Sequence, residues 1–268
     1  MELSGRHVVV TGGGGGIGGA LARRFAAEQA RAVVVADRDL ARAQAVAAEI
    51  GDGALVIEFN ASREDGVKAL IAAAQDAGGA IDIFVSNAGV PGGGGGPVET
   101  SDAELDEAWR VNVMAHVWAS RALLPAMLAR GEGYLINTAS AAGLLTQVSS
   151  VGYSVTKHAA VALAEWMAIE YREAGIRVSC ICPQGVRTPM LELAMDDAAG
   201  AAALNAGGLI EPDDVADAVV DGIAAERLLI LPHPEVAQFM ALKGSAPERW
   251  IAGMRKLVRN ARAAASSE

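Results

Sequence analysis

The sequence predicts an α/β fold in which one domain holds a doubly wound, parallel sheet of seven strands with helices on both faces. Short β-branched runs alternate with longer Ala-rich helical stretches, and this order is typical of parallel sheets. Each predicted strand is apolar along nearly its whole length, as expected when helices cover both faces. No linker-like change of composition divides the 268 residues, of which 52% are hydrophobic. We therefore treat residues 1–268 as a single domain.

The predicted elements follow one another in a regular order. The strands are His7–Val10, Ala32–Ala36, Leu55–Phe59, Ile83–Ser86, Tyr134–Asn137, Val178–Ile181 and Leu228–Leu231. The helices between them are Ile17–Glu28, Leu40–Ile50, Glu64–Ala77, Ala103–Ala129, Val155–Glu173 and Asp213–Ala225. Two helix starts have the spacing of a capping box, in which a Ser and an acid three residues later bind each other's backbone: Ser62 with Asp65, and Ser101 with Glu104.

Two segments interrupt this alternation. Residues 187–210 are rich in Ala and broken by Gly, and their length predicts a substrate loop or lid, with a poorly ordered excursion as the alternative. Residues 233–268 predict a C-terminal helical extension, because Trp250, Met254 and Leu257 recur at helical spacing. We interpret the basic residues of this helix as a solvated outer face, with an anion-binding patch as the alternative.

Composition and charge argue against several kinds of partner. The 22 basic and 32 acidic residues give a formal charge of −10, and aromatic residues are only 4%, so nucleic acid is not an expected partner. No apolar run approaches the ~20 residues that span a bilayer, and we expect no membrane insertion. Cys180 and Cys182 do not complete a zinc set. We interpret them as small buried hydrophobes of a reducing, cytoplasmic protein without a metal site.

A strand, a glycine run and a helix start follow one another early in the sequence. The run Gly12–Gly16 with Gly18 leaves backbone N–H groups at a helix N-terminus open to a pyrophosphate. Asp37, after the second strand, can accept hydrogen bonds from a ribose 2′-hydroxyl and would repel a 2′-phosphate. These features favour NAD as the cofactor, whereas Arg38 would tolerate NADP. A turn that only packs the helix against the sheet is the alternative.

Three reactive side chains are predicted to converge at the same edge of the sheet. Tyr153 and Lys157 are four residues apart in a predicted helix, so both leave one helix face. Ser140 follows the carboxyl end of the fifth strand, where parallel sheets bind their ligands. A hydroxyl, a phenol and an ammonium would then lie beside the cofactor. On spacing alone, a surface Tyr–Lys pair and a turn-capping Ser are an equal alternative.

The ordered motifs together resemble the short-chain dehydrogenase/reductase family over roughly Leu3–Leu231. The matching residues are Thr11, Gly12, Gly16, Ile17 and Gly18 in the first turn, Asn87-Ala88-Gly89, Asn112, Ser140, Tyr153, Lys157 and Pro183. The resemblance implies a Rossmann-like fold with strand order 3-2-1-4-5-6-7 and a homotetramer or homodimer. It also implies an oxidoreductase that transfers a hydride between NAD(H) and an alcohol or ketone.

The resemblance assigns roles to four residues. Tyr153 is implied to be the general base in alcohol oxidation and the general acid in ketone reduction, while Lys157 holds the ribose hydroxyls. Ser140 is implied to donate to, or orient, the substrate oxygen, and Asn112 to hold a relay water in a kinked helix. We expect Lys157 and the positive nicotinamide ring to lower the pKa of Tyr153 from its usual ~10.

The implied binding residues form two sets. The cofactor set is Gly12, Gly15, Gly16, Ile17, Gly18, Asp37, Arg38, Asn60, Ala61, Asn87, Ala88, Gly89, Tyr153, Lys157, Pro183, Gly185, Val186 and Thr188. The substrate set is Ser140, Ala142, Leu144, Gln147, Tyr153, Met190 and Leu191. One departure from the family is Gln184, which separates a usual Pro-Gly pair, and another is Asn60, where Asp is common.

The residues expected around the substrate carry no charge, and Arg187 is the one basic residue near them in the sequence. We therefore predict a neutral, fairly hydrophobic secondary alcohol or ketone as substrate, because a carboxylate or phosphate would require a cationic partner. Reduction of a 3-oxoacyl thioester with NAD(P)H is the alternative among enzymes. A dinucleotide-binding regulator without turnover is the alternative from a different class.

Overall fold

The computed structural model describes residues 1–195, 197–205 and 207–266. Its main sheet has seven strands: β1 (His7–Thr11), β2 (Ala32–Asp37), β3 (Ala54–Glu58), β4 (Ile83–Ser86), β5 (Gly133–Thr138), β6 (Ile176–Ile181) and β9 (Leu229–Ile230). All are paired in parallel, in the order β3-β2-β1-β4-β5-β6-β9. The predicted fold class and strand order are confirmed.

Helices cover both faces of this sheet. They are α1 (Gly16–Ala27), α2 (Leu40–Ile50), α3 (Glu64–Gly78), α4 (Asp102–Trp109), α5 (Ala115–Arg130), α6 (Ala142–Leu145), α7 (Val151–Tyr171), α8 (Pro189–Met195), α9 (Ala198–Asn205), α10 (Pro212–Ala224), α11 (Glu235–Ser245) and α12 (Pro247–Ala265). Side chains of β1 alternate between two cores: Val9 packs with α3, α5 and α7, whereas Val8 and Val10 pack with α1, α2 and α10. This two-sided burial explains why the strands are continuously apolar.

The long helix predicted over Ala103–Ala129 is divided in the structure. A π-helical turn, Arg110–Met114, separates α4 from α5. The capping box at the start of α4 is confirmed, with Ser101 and Glu104 each bound to the other's backbone N–H. The capping box predicted for Ser62 and Asp65 is wrong. Helix α3 begins at Glu64 with Arg63 at its N-cap and no side-chain cap, so Ser62 lies one residue too early, and its hydroxyl donates to Asn60 Oδ1 at 2.8 Å.

The two segments outside the alternation have regular structure where they are described. Within residues 187–210 lie α8, α9 and strand β8 (Leu209–Ile210), which pairs with β7 (Gly185–Val186); Asp196 and Ala206 lie outside the described residues. The C-terminal extension forms α11 and α12, and α12 packs against α9. A small core of Leu145 and Val236, with Trp250 against it, joins the extension to α6. No helix in the described ranges is long and apolar enough to cross a membrane.

Candidate active site

The carboxyl ends of the central strands open into a cavity of about 780 Å³. It extends from the glycine turn after β1 to Tyr153 and Lys157 on α7. Its wall includes seventeen of the eighteen predicted cofactor residues: Gly12, Gly15, Gly16, Ile17, Gly18, Asp37, Arg38, Asn60, Ala61, Asn87, Ala88, Gly89, Tyr153, Lys157, Pro183, Val186 and Thr188. The topology thus brings together residues as far apart in the chain as Gly12 and Thr188, because parallel strands end at one edge.

A hydrogen-bond network fixes the glycine turn to the end of β4. The Thr11 hydroxyl accepts from the backbone N–H groups of Asn87 at 2.9 Å and Ala88 at 3.1 Å, and it donates to the Val85 carbonyl at 3.2 Å. The Asn87 side-chain amide donates back to the Thr11 carbonyl at 3.0 Å. These hydrogen bonds hold the carboxyl ends of β1 and β4 together and so fix the part of the cavity wall that lies between them.

The glycine turn needs residues without side chains for two reasons: the backbone packs closely there, and the turn itself lines the cavity. A Cβ on Gly18 would overlap the carbonyl oxygen of Gly12 and lie 2.6 Å from Asn87 Nδ2. Gly12 itself has φ of 64°, in the left-handed region that favours glycine. Gly12, Gly15 and Gly16 therefore line the cavity with backbone alone, and the side chains of Arg42 and Thr188 lie against Gly15 and Gly16.

Asp37 is held in place at the end of β2, where two arginines lie near it. Its carboxylate accepts from the backbone N–H groups of Gly14 at 2.9 Å and Asp39 at 3.0 Å. Arg38 lines the cavity, as predicted, and so does Arg42 in the first turn of α2. Sequence reasoning missed Arg42, although its place one helical turn after Asp37 and Arg38 is a signal that could have indicated it.

Ser140, Tyr153 and Lys157 line the same part of the cavity. The Ser140 hydroxyl donates to the Pro183 carbonyl at 3.3 Å and accepts from Ala142 N–H at 3.1 Å. Lys157 Nζ donates to the Thr138 carbonyl at 2.9 Å and lies 5.4 Å from the centroid of the Tyr153 ring. Helix α7 starts earlier than predicted, at Val151, so Tyr153 lies in its first turn, where its N–H is capped by Ser150.

The direction of the Tyr153 pKa differs from the sequence-based expectation. Burial raises the pKa of Tyr153 above its ordinary value, and the neighbouring Ser140 side chain opposes this rise only in part. Burial also lowers the pKa of Lys157 to about 8. Desolvation penalises the charged form of each group, and in the protein alone this effect outweighs the expected attraction between phenolate and ammonium.

Asn112 lies in the π-helical turn and behind the cavity wall. It is fully buried; its Oδ1 accepts from Val90 N–H at 2.9 Å, and its Nδ2 donates to the Val90 carbonyl at 3.0 Å and to Thr156 Oγ1 at 3.1 Å. The side chain thus ties the segment after Asn87-Ala88-Gly89 to the helix that carries Tyr153 and Lys157. The helix irregularity that the family resemblance implied at this residue is present.

Three predicted binding residues do not line the cavity. Gly185 lies in β7, where a Cβ would contact Leu209 rather than open space. Ala142 is buried in α6. Leu144 packs with the core that joins α6 to the C-terminal extension, and its carbonyl accepts from Lys243 Nζ at 2.6 Å. The other predicted substrate residues, Ser140, Gln147, Tyr153, Met190 and Leu191, do line the cavity.

Several further residues that line the cavity were not among the predicted site residues. Asp197 and Leu204 come from the predicted substrate loop 187–210, and the others include Glu107, Val148, Ser149, Gln184 and Arg262. Asp197 Oδ1 accepts from the Ser149 hydroxyl and from Gly200 N–H at 2.7 Å, which joins α9 to the segment before α7. Gln184 N–H donates to Nδ1 of the buried His233 at 3.1 Å. The C-terminal extension therefore supports the site, a role that only contacts distant in sequence reveal.

Comparisons with known proteins agree with this geometry. A family model described as short chain dehydrogenase matches residues 6–199. The 2,5-dichloro-2,5-cyclohexadiene-1,4-diol dehydrogenase of Sphingobium indicum is 38% identical over 200 residues, which cover 74% of this chain and 80% of that protein.

Two solved structures have the same fold over most of their length. A short-chain dehydrogenase/reductase from Burkholderia phymatum in complex with NAD has a TM-score of 0.82 and 31% identity, covering 92% of this chain and 96% of its own. A metagenomic short-chain oxidoreductase in complex with NADP has a TM-score of 0.71 and 34% identity, and the match covers 86% of this chain and 98% of that one. The chain therefore belongs to the short-chain dehydrogenase/reductase family, whose members are NAD(P)-binding oxidoreductases of alcohols and ketones.

Proposed function

We propose that this protein transfers a hydride between NAD(H) and a neutral, fairly hydrophobic secondary alcohol or ketone. The observation that carries the proposal is a shared cavity: Ser140, Tyr153 and Lys157 line it together with the glycine turn and Asp37. A dinucleotide fits this wall, because the glycines at the N-terminus of α1 line the cavity without side chains of their own and the Asp37 carboxylate is fixed by two backbone N–H groups.

Each reactive residue has a distinct task in the proposed reaction. In alcohol oxidation, Tyr153 as phenolate takes the proton of the substrate hydroxyl while the hydride leaves the carbinol carbon; in ketone reduction, the phenol returns that proton. Ser140 donates a hydrogen bond to the substrate oxygen, where charge develops. Lys157 supplies a buried positive charge beside Tyr153 and holds the ribose hydroxyls. When bound, the nicotinamide ring accepts or gives the hydride, and its positive oxidised form favours the phenolate.

Asp37 is the residue that we expect to decide between NAD and NADP. A 2′-phosphate beside this carboxylate would meet like-charge repulsion, whereas Arg38 and Arg42 in the same wall would attract it. Replacing Asp37 with Ser should therefore raise kcat/KM for NADP relative to NAD by about tenfold or more. The ratio is measured from initial rates with each cofactor at a saturating concentration of the same alcohol.

A second variant controls for the change in net charge. Asp52→Ser removes one carboxylate from an exposed turn that does not line the cavity, so its NADP/NAD ratio should match the wild type. An unchanged ratio in Asp37→Ser would contradict the role proposed for Asp37.

The substrate class is supported by the apolar part of the cavity wall. Val148, Val186, Met190, Leu191 and Leu204 line it. Of the charged residues nearby, Glu107 and Arg262 are exposed, and Asp197 is bound to the Ser149 hydroxyl and to Gly200 N–H. The similar enzyme from Sphingobium indicum is named for a cyclic diol, which is a neutral ring alcohol. We therefore favour secondary alcohols of ring size over hydroxy acids.

The proposed function is tested with a panel of substrates. Cyclic secondary alcohols, the matching ketones, hydroxy acids and a 3-oxoacyl thioester are each incubated with NAD(H), and the absorbance of the reduced nicotinamide is followed. Highest kcat/KM for a neutral ring alcohol or its ketone supports the proposal. Highest kcat/KM for the thioester would favour the 3-oxoacyl reductase alternative, and NAD binding without turnover of any compound would favour the regulator.

We propose a homodimer or homotetramer in solution. Large apolar side chains are exposed on α4 and α7, which pack side by side: Trp109 on α4, and Val155, Trp166 and Ile169 on α7, the last 81% exposed. A charge at Ile169 would be costly to bury against a second copy. Ile169→Lys should therefore reduce the mass seen by light scattering after size-exclusion chromatography, whereas Ile251→Lys on α12 should not. A monomeric wild type would contradict the proposal.

A further inference from the structure

The hydrogen bonds between β6 and β9 continue past the ends of both strands in an unusual way. The last regular bond runs from Cys182 N–H to the Ile230 carbonyl at 2.9 Å. The next pair, two residues further along each chain, would be Gln184 and Pro232, but a proline has no N–H to continue the pairing. The Gln184 N–H instead donates to Nδ1 of His233 at 3.1 Å. A side-chain nitrogen of the C-terminal extension therefore takes the place of the next backbone acceptor.

His233 is a buried acceptor at this point. It is 1% exposed, and prolines directly before and after it restrict its backbone. Because the Gln184 N–H is the donor, Nδ1 carries no proton, so the imidazole is neutral with its proton on Nε2. Nε2 has no hydrogen-bond partner among the described residues. Burying that N–H unpaired is unfavourable, so the bond accepted at Nδ1 is the contact that accounts for a histidine here.

The same peptide group binds His233 on one side and the reactive serine on the other. The Gln184 N–H and the Pro183 carbonyl belong to one planar trans peptide, in which the two bonds point in opposite directions. The Pro183 carbonyl accepts from the Ser140 hydroxyl at 3.3 Å and from Ala141 N–H at 2.8 Å. The imidazole and the Ser140 hydroxyl are thus joined through a single rigid plane.

We infer that His233 is a positioning residue for the proposed reaction: by accepting from the Gln184 N–H, it sets the peptide plane that orients Ser140. The inference rests on the proposed function. His233 does not line the cavity, so it acts on the substrate only through Ser140. Without this acceptor, the partly buried Gln184 N–H would lose its partner. The peptide would then turn toward another acceptor and carry the Pro183 carbonyl away from Ser140.

The first test replaces His233 with Leu and with Asn. His233→Leu removes the acceptor and should lower kcat about tenfold, because a misplaced Ser140 stabilises the developing charge on the substrate oxygen less well. Asn carries its amide oxygen on Cγ, where histidine carries Nδ1, so His233→Asn should restore kcat to within about threefold of the wild type. The dissociation constant for NAD is measured alongside and should stay close to that of the wild type in both variants.

A double-mutant cycle separates this role from a general loss of structure. Ser140→Ala removes the hydroxyl that the peptide orients, so adding His233→Leu to it should cause little further loss of kcat. Equal losses of kcat from His233→Leu in the wild type and in Ser140→Ala would show that His233 acts without Ser140, and this would overturn the inference.

His7 provides a matched control. It is also a buried histidine whose Nδ1 bonds a backbone group, the Gly79 carbonyl at 3.1 Å, but it lies at the start of β1 and does not line the cavity. His7→Leu should lower the melting temperature while kcat stays at the wild-type value. An unchanged kcat in His233→Leu would overturn the inference, whereas a wild type without turnover of any alcohol or ketone would overturn the proposed function.

A measurement on the wild type does not require any variant to fold. Nitrogen-15 NMR at about pH 8 should show the His233 ring with its proton on Nε2. A scalar coupling across the N–H···N bond to the Gln184 amide identifies this ring among the histidines. A His233 ring that carries its proton on Nδ1 could not accept from Gln184, and this result would overturn the inference.

Discussion

Replacing Tyr153 with Phe is expected to reduce kcat for both alcohol oxidation and ketone reduction about 10³-fold or more. The change removes the single oxygen that takes or returns the proton in the proposed mechanism, and general acid–base catalysis contributes about 10²- to 10⁴-fold. The phenyl ring still fills the same space between α7 and the cavity, so folding should be unaffected. Rates, the NAD dissociation constant and the melting temperature are measured on the same preparation.

A second tyrosine serves as the control for Tyr153→Phe. Tyr171 is the last residue of α7, and its ring contacts Trp166 with centroids 5.7 Å apart, away from the cavity. Tyr171→Phe should keep wild-type kinetics. Full turnover in Tyr153→Phe on the best substrate would show that the mechanism assigned to the phenol is wrong.

Replacing Gly18 with Ala is expected to destabilise the protein by about 3 kcal/mol and to weaken NAD binding. The new Cβ would overlap the Gly12 carbonyl and press on Asn87 Nδ2, and neither atom belongs to a flexible side chain end that could move aside at low cost. Either α1 moves away from the glycine turn or the link between β1 and β4 breaks. The melting temperature should fall by roughly 6–12 °C.

The adjacent glycine provides a matched control for Gly18→Ala. A Cβ on Gly19 would meet the mobile end of Arg23 at 3.1 Å and two further atoms at 3.5 Å. Gly19→Ala also gains about 1 kcal/mol of helix propensity, so its stability should equal or exceed that of the wild type. If both alanine variants melted at the wild-type temperature, close packing at Gly18 would not be what requires a glycine there.

Much of the site could be inferred from the sequence because its signals are local. The glycine run and Asp37 are recognised by the strands that precede them, whereas Tyr153 and Lys157 are recognised by their helical spacing only together with the other motifs of the family. The cavity brings these residues together. Ser140 follows a strand end in the same way. Such local patterns predict the site because a residue that directly follows a parallel strand must lie at the carboxyl edge of the sheet.

Other features depended on contacts that no local pattern encodes. Arg262 reaches the cavity only because α12 packs against α9, and Ser62 does not cap α3 because Arg63 occupies the N-cap position. The π-helical turn at Asn112 leaves no mark that a helical periodicity would detect. The raised pKa of Tyr153 likewise follows from burial, which a spacing of four residues does not report.

The sequence by itself determined the doubly wound sheet and the residues that face the cavity from the strand ends, since apolar periodicity and turn residues act over a few positions, while the strand order followed from the family resemblance. Only the tertiary structure decided which groups surround Lys157, how the C-terminal extension meets the site, and which protonation state burial favours. Electrostatic energies depend on distance and solvent exclusion in three dimensions, and these are set by packing between segments far apart in the chain.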